Sequence, residues 1–284
     1  MNNINQAHQL RKYKMNKYTK IAAVAAVTLI TASSSAYAVV PSASAKSVPA
    51  YQKNLHKKGT LTVGLEGTYS PYSYRDKSGK LTGFEVDLSK AVAKKLGLKV
   101  KFTQTKFDSL VAGLDSRKYD VVYNNMGKTK ERTKKYTFAK PYIYTKTVMI
   151  TKTGSDIKTA ADLKGKKSAQ SASSNFGQTA KKAGTNVVSV PGFAEAIDLV
   201  NSGKADVTLN SQDSWGVYKK AHPETKLKAK VTKTLDNTSS SPMLNKKDKA
   251  LAKKITKAQK QLAKDGTLSD LSEKYFDSDL TKKP

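Results

Sequence analysis

Gly83-Phe84-Glu85-Val86-Asp87-Leu88-Ser89-Lys90-Ala91-Val92-Ala93-Lys94-Lys95-Leu96 is the stretch on which the reading of this 284-residue chain turns. Phe84, Leu88, Ala91, Val92 and Leu96 recur at helical spacing, and Gly97 supplies the stop. Glu85 and Asp87 fall in the first turn, where acids complement the helix dipole and its free N–H groups. Upstream, Asp76-Lys77-Ser78-Gly79 reads as a hairpin turn and Leu61-Thr62-Val63-Gly64-Leu65 as a strand. Downstream come a strand at 99–103, a helix carrying Leu110, Val111 and Leu114, and a strand at 119–123. Strand, helix, strand, helix, strand is the order of a parallel sheet covered by helices.

The same order begins again after a β-rich stretch at 145–151. A strand at 167–170 leads to a helix starting near Ser174, then a strand at 187–190. Phe193, Ala196, Ile197 and Val200 form a helical stripe, followed by a strand at 206–210. A last helix repeats Leu251, Ile255, Ala258 and Leu262 and stops at Gly266. Two α/β halves joined by two β-rich hinge crossings predict two lobes with a ligand cleft between them. The expected division is 46–145 with 238–284 for lobe 1, and 146–237 for lobe 2.

Residues 1–45 read differently. Arg11, Lys12, Lys14, Lys17 and Lys20 precede an apolar run at 21–30 and then small residues, the layout of a signal peptide. Ala36-Tyr37-Ala38 and Ala43-Ser44-Ala45 both fit the cleavage rule, and the second leaves a polar start near Lys46. The apolar run is too short to span a bilayer. The chain has no cysteine, which excludes disulfides, thiolate metal sites and a lipid-anchored cysteine.

With 52 Lys plus Arg against 22 Asp plus Glu, the formal charge is +30. A polycation of this size adheres to anionic wall polymers in a salt-sensitive way, which predicts the surface of a Gram-positive cell. The bases are nearly all lysine; the arginines are Arg11, Arg75, Arg117 and Arg132. Lysine suits solubility and diffuse attraction, whereas arginine suits bidentate recognition. No helix-turn-helix, zinc-finger or RNA-binding motif accompanies the charge, so nucleic acid is not an expected partner.

At 83–96 the chain resembles the signature of the family 3 solute-binding proteins of ABC transporters. The resemblance runs from Gly59-Thr60-Leu61-Thr62-Val63-Gly64 through Asp120-Val121 to Asp265-Gly266-Thr267 and Lys274-Tyr275-Phe276. Glu131-Arg132-Thr133-Lys134-Lys135-Tyr136-Thr137-Phe138-Ala139-Lys140-Pro141-Tyr142 is similar to another family segment. It implies a type II periplasmic-binding-protein-like α/β fold, an amino-acid ligand and a membrane ABC permease as partner. A strongly basic, non-lipidated member further resembles the basic surface proteins of lactobacilli. That likeness implies cystine or a polar amino acid as ligand, and adhesion to collagen or mucin as the alternative function.

A free amino acid needs a fork for its carboxylate, an acceptor for its ammonium and a surface for its side chain. Arg132 offers the fork, and the resemblance puts the binding arginine at this Glu-Arg step. Ser173, Ser174 and Asn175 sit where a strand turns into a helix, a ready anion pocket, and Ser174 matches the family's hydroxyl. Arg132 on one lobe and Ser174 on the other would draw the lobes together on a shared carboxylate. Tyr69 and Phe107 match ring-wall positions, Glu66 matches an acidic pocket residue of some relatives, and Asn124 and Asn125 offer amide groups.

Two positions depart from the family. Ser211 stands where relatives place an aspartate for the α-ammonium, so either Asp213 and Glu66 compensate or the ligand is not a simple α-amino acid. Gly127 replaces a common hydroxyl residue and leaves a backbone N–H. No catalytic motif is present, and His8, His56 and His222 lie outside the expected cleft, so neither an enzyme nor a cofactor is expected.

Overall fold

The computed structural model describes residues 47–231, Leu235 and 238–283. The signal-peptide reading of 1–45 lies outside the described residues.

Two five-stranded sheets organise the chain. In the first, β1 (Thr60–Leu65) pairs in parallel with β4 (Lys99–Gln104) and β5 (Val121–Val122). The hairpin β2 (Tyr74–Arg75) and β3 (Leu81–Thr82) interrupts the run before α1 (Phe84–Lys95). Helix α2 (Phe107–Asp115) connects β4 to β5, as the alternation predicts. The expected third strand is shorter than its apolar text. Asp120 N–H donates to the Thr62 carbonyl, and its carboxylate also accepts from the N–H groups of His56 and Thr62.

After α3 (Lys130–Lys135) the chain adds β6 (Tyr136–Phe138) to the first sheet, then crosses through β7 (Ile143–Thr145). The second sheet takes β8 (Thr147–Lys152), β9 (Lys167–Gln170), β10 (Asn186–Ser189), β11 (Val207–Ser211) and β12 (Leu227–Val231). Its helices are α4 (Asn175–Lys182), α5 (Phe193–Ser202) and α6 (Gln212–Ala221). The return passes through β13 (Thr238–Ser240), antiparallel to β7, so two paired strands join the lobes. β14 (Met243–Asn245) then inserts between β5 and β6, and α7 (Lys249–Lys264) and α8 (Thr267–Phe276) pack on the first lobe.

Each sheet has its own apolar core. Leu61, Val63 and Leu65 of β1 pack with Phe84, Leu88 and Val92 of α1 and with Ile255 and Leu262 of α7. Val148, Ile150 and Ala169 pack with Ala196, Ile197 and Val200 of α5. At fixed area the burial of such side chains supplies about 25 cal/mol per Å² to each lobe separately. The strands can therefore stay rigid while the connection between the lobes flexes.

Gly83 explains how α1 begins. It lies at φ 126°, and a Cβ there would come within 2.3 Å of the Tyr72 carbonyl oxygen, so only glycine lets the helix start against that turn. Phe84 N–H and Glu85 N–H donate to the carbonyls of Pro71 and Tyr72, which ties the signature helix to the loop after β1.

Candidate functional site

The carboxyl ends of the parallel strands from both sheets face one cleft. The residue after β1 is Glu66, the loop beyond it carries Tyr69, α2 opens with Phe107, and β5 runs into Asn124 and Asn125. From the second lobe come Gln170 at the end of β9, Ser174 and Asn175 at the start of α4, Phe193 of α5, and Thr208 and Asn210 of β11. The wall carries rings, amides and hydroxyls, and Glu66 is its carboxylate.

Glu66 and Asn124 hold each other. Glu66 N–H donates to Asn124 Oδ1 at 2.7 Å, and Asn124 Nδ2 donates to Glu66 Oε2 at 2.6 Å. Oε1 is left over, beside Gly192, where a Cβ would stand 3.2 Å away. Burial pushes the Glu66 carboxyl up to about 7; Asn124 opposes that rise, and the charges of Glu195 and Asp108 add to it. A cation placed at Oε1 meets negative potential from all three acids.

Tyr69 crosses from the first lobe to the second. Its hydroxyl donates to Asn210 Oδ1 at 2.7 Å, lies 2.9 Å from Ser214 Oγ, and accepts from Asn125 Nδ2 at 3.2 Å. The ring stacks on Tyr72 at 5.0 Å and meets Phe193 edge-on at 6.0 Å. Desolvation raises its phenol well above the ordinary range, so it remains a neutral donor.

Arg132 sits in the short α3, whose N-cap Thr129 accepts from the Arg132 N–H. Its side chain turns inward and is buried, at 9% exposure. One terminal nitrogen donates to the Gly127 carbonyl and the other to the Ser173 carbonyl, each at 2.9 Å, the second bond crossing between lobes. The guanidinium stands 6.0 Å from the ring centre of Phe107, which lines the cleft, and so lies beside the cleft wall. Burial lowers its pKa to about 10, which leaves it charged at neutral pH.

Ser174 is the N-cap of α4, its Oγ accepting from Gly177 N–H at 2.9 Å. That bond uses the oxygen as an acceptor and leaves the hydroxyl proton available. Ser173 adds a second crossing, donating from N–H and Oγ to Asp108 Oδ1 of α2. Gly127 is a close-approach residue, because a Cβ there would lie 3.0 Å from Asn175 Cγ across the lobes. Its carbonyl, rather than its N–H, is the group engaged by Arg132.

Asp213 does not join the lining. Its carboxylate accepts from the hydroxyls of Tyr72, Thr145 and Ser211, which turns it toward the hinge strand β7 and away from the cleft. Burial raises its pKa, with the Thr145 and Tyr72 hydrogen bonds opposing. Gln170, Phe193, Thr208 and Asn210 are lining residues that the sequence reading left out. Gln170 ends its strand and Asn210 is the next-to-last residue of β11. The rule that clefts open at carboxyl ends of parallel strands would have pointed to both.

Among the described residues no cluster of His, Asp and Glu could hold a metal ion, and no helix is long and apolar enough to cross a membrane.

Comparison with known proteins gives consistent likenesses. A family profile described as bacterial extracellular solute-binding proteins, family 3, matches residues 61–278. The L-cystine-binding protein TcyA of Bacillus subtilis is 42% identical over 231 residues, covering 81% of this chain and 85% of that protein. A probable amino-acid ABC transporter-binding protein of Haemophilus influenzae is 42% identical over 229 residues, covering 80% and 89%. Among solved structures, an ancestral arginine-binding protein bound to arginine overlaps with a TM-score of 0.72 at 38% identity, covering 78% of this chain and all (100%) of that one. The L-cystine solute receptor of Neisseria gonorrhoeae in its unliganded open conformation gives only 0.55 at 40% identity, covering 80% and 97%. The poorer overlap at equal identity is what lobes drawn together on one side and parted on the other produce.

Proposed function

Because the chain belongs to the bacterial extracellular solute-binding proteins of family 3, we propose that it is an amino-acid receptor of an ABC uptake system, closing its lobes on cystine or another polar amino acid. The lobes are taken as 46–145 with 238–284, and 146–237. The observation that carries the reading is the crossing of Arg132 from α3 to the carbonyl beside Ser174, at the mouth of α4.

In this reading the ligand carboxylate lies between the remaining donors of Arg132 and the first turn of α4, where N–H groups lack intrahelical partners. The Ser174 hydroxyl completes the set. The ammonium goes to Glu66 Oε1, which takes the part that an aspartate at 211 would play. Asn124 and Asn175 stand ready for polar groups of the side chain, and Tyr69, Phe107 and Phe193 for its apolar surface. Every one of these contacts except the Glu66 ammonium pair is shared between lobes, so binding energy favours the closed arrangement.

A salt-resistant thermal shift of the mature protein with one of the twenty amino acids or cystine tests the reading. No shift with any of them at millimolar concentration would defeat it. His56 and His222 lie off the cleft lining, and no catalysis is assigned.

A second reading concerns the outside. Helix α7 exposes Lys249, Lys253, Lys254, Lys257, Lys260 and Lys264 and carries no acid. Such a face suits anionic wall polymers, and by the same attraction collagen or mucin, on the surface of a Gram-positive cell without a lipid anchor. Release from isolated walls by moderate salt, with ligand affinity unchanged, is the expected signature.

A further inference from the structure

Glu85 lies in the first turn of α1 and is fully buried, at 0% exposure. The sequence offers it the same role as Asp87, an acid complementing a helix start. The structure separates them. Asp87 pairs with Lys90 and Lys274 near the surface and accepts from the Tyr275 hydroxyl, while Glu85 points inward beneath the cleft.

Glu85 Oε1 accepts twice, from Asn125 N–H at 2.6 Å and from the Tyr142 hydroxyl. Its Oε2 has no partner among the described residues. Asn125 holds a positive φ of 46°, a region that asparagine enters more readily than other residues with a Cβ, and its surroundings hold it there. Those surroundings are Glu85 on one side and the hinge on the other. The Ser240 hydroxyl of β13 donates to Asn125 Oδ1, Ser241 N–H donates to the Met126 carbonyl at 3.0 Å, and Gly127 bridges to Ser240. Tyr142 immediately precedes β7, the other hinge strand.

We propose that Glu85 is a positioning residue: a single carboxylate oxygen ties the 124–127 turn, which shapes the cleft, to the start of the hinge. The turn sets three binding groups at once. Asn124 orients Glu66, Asn125 orients the Tyr69 hydroxyl, and the Gly127 carbonyl receives Arg132. Without the acceptor, Asn125 N–H is a buried orphan, and the turn relaxes out of the left-handed conformation to find another partner. All three groups would then move together. The proposal rests on the cleft being the amino-acid site.

The test compares Glu85→Gln and Glu85→Leu in the mature protein by calorimetry, using the amino acid that stabilises the wild type most. The amide keeps an acceptor oxygen, so Glu85→Gln should stay within about threefold of wild-type affinity, while Glu85→Leu, which leaves a donor orphaned, loses about thirtyfold or more. Hydrogen exchange of the ligand-free proteins separates positioning from bulk stability. Amides at 125–127 should exchange at least about tenfold faster in Glu85→Leu, with protection in β1 and β11 retained. Should Glu85→Leu not fold, Glu85→Asp withdraws the oxygen by one methylene and should show the same local loss at smaller size. Wild-type affinity together with wild-type exchange at 125–127 in Glu85→Leu or Glu85→Asp would overturn the proposal. If the wild type binds no amino acid, the site reading fails, and the exchange measurement still decides whether Glu85 holds the turn.

Discussion

The guanidinium of Arg132 and the carboxylate of Asp213 both stand at the junction of the lobes, and they differ in what remains of their hydrogen-bonding capacity. Arg132 donates to the carbonyls of Gly127 and Ser173 and keeps donors over, beside the open first turn of α4. Asp213 is enclosed by the hydroxyls of Tyr72, Thr145 and Ser211. A group with unused capacity at a cleft rim is available to a ligand, whereas one whose acceptors are all occupied works on the protein itself. On the proposed reading Arg132 therefore goes with the ligand, and Asp213 with the contacts between the lobes. On the same proposed reading, Glu66 takes the part of the aspartate that Ser211 replaces. The free carboxylate oxygen of the cleft is on the first lobe, at Glu66 Oε1.

The difference between the two residues can be broken in order of expected effect. Arg132→Ala should weaken amino-acid binding about a hundredfold or more, since a buried charge-assisted fork is lost, and calorimetry measures it directly. Glu66→Gln should weaken binding about tenfold, and it should abolish a proton release that the wild type shows. The sign follows from the raised carboxyl at about 7. An ammonium favours the carboxylate, so binding expels a proton, and wild-type affinity falls as pH drops from 7 toward 5 by at most about tenfold per unit. Titration in buffers of different ionisation enthalpy would expose a wild type that releases no proton.

The empty protein gives the converse sign. Between the ordinary value of 4.5 and about 7 the folded state holds more protons at Glu66 than the unfolded state does. Stability is therefore lost as pH rises through that window. Glu66→Gln should consequently be more stable than the wild type at pH 8, by up to about 3 kcal/mol, and equal to it near pH 4. Chemical denaturation at the two pH values checks this. Asp213→Asn should change affinity only about threefold, through a weaker closed state, because the amide still accepts from one hydroxyl. A hundredfold loss there would return Asp213 to the ligand and erase the contrast.

Much of this was legible in the text. The alternation of elements gave both sheets, and the helix expected to start near Ser174 is α4, with Ser174 as its N-cap. What stayed hidden depends on chain segments that meet only in the fold. Asp213 is the second residue of α6, next to the end of β11 that lines the cleft. Tyr72, which lies 141 positions away in sequence, captures it instead. Glu85 reads as a dipole acid because nothing local reveals that the 124–127 turn folds over it. The strand expected at 119–123 is only Val121–Val122, although the Asp120 and Tyr123 N–H groups still donate to the carbonyls of Thr62 and Gly64 in β1, and Asp120 also binds the His56 and Thr62 N–H groups through its side chain. For Asp213 and Glu85, polar partners distant in sequence are the common cause.

The most direct test of a shared carboxylate grip is a thermodynamic cycle. Affinities of the preferred amino acid and of its decarboxylated amine would be measured by calorimetry on the wild type and on Arg132→Ala. If Arg132 and the start of α4 hold the carboxylate, removing that group costs the wild type about a hundredfold and costs the variant far less. An equal loss in both proteins would mean that the carboxylate never meets Arg132, and the grip described here would be wrong.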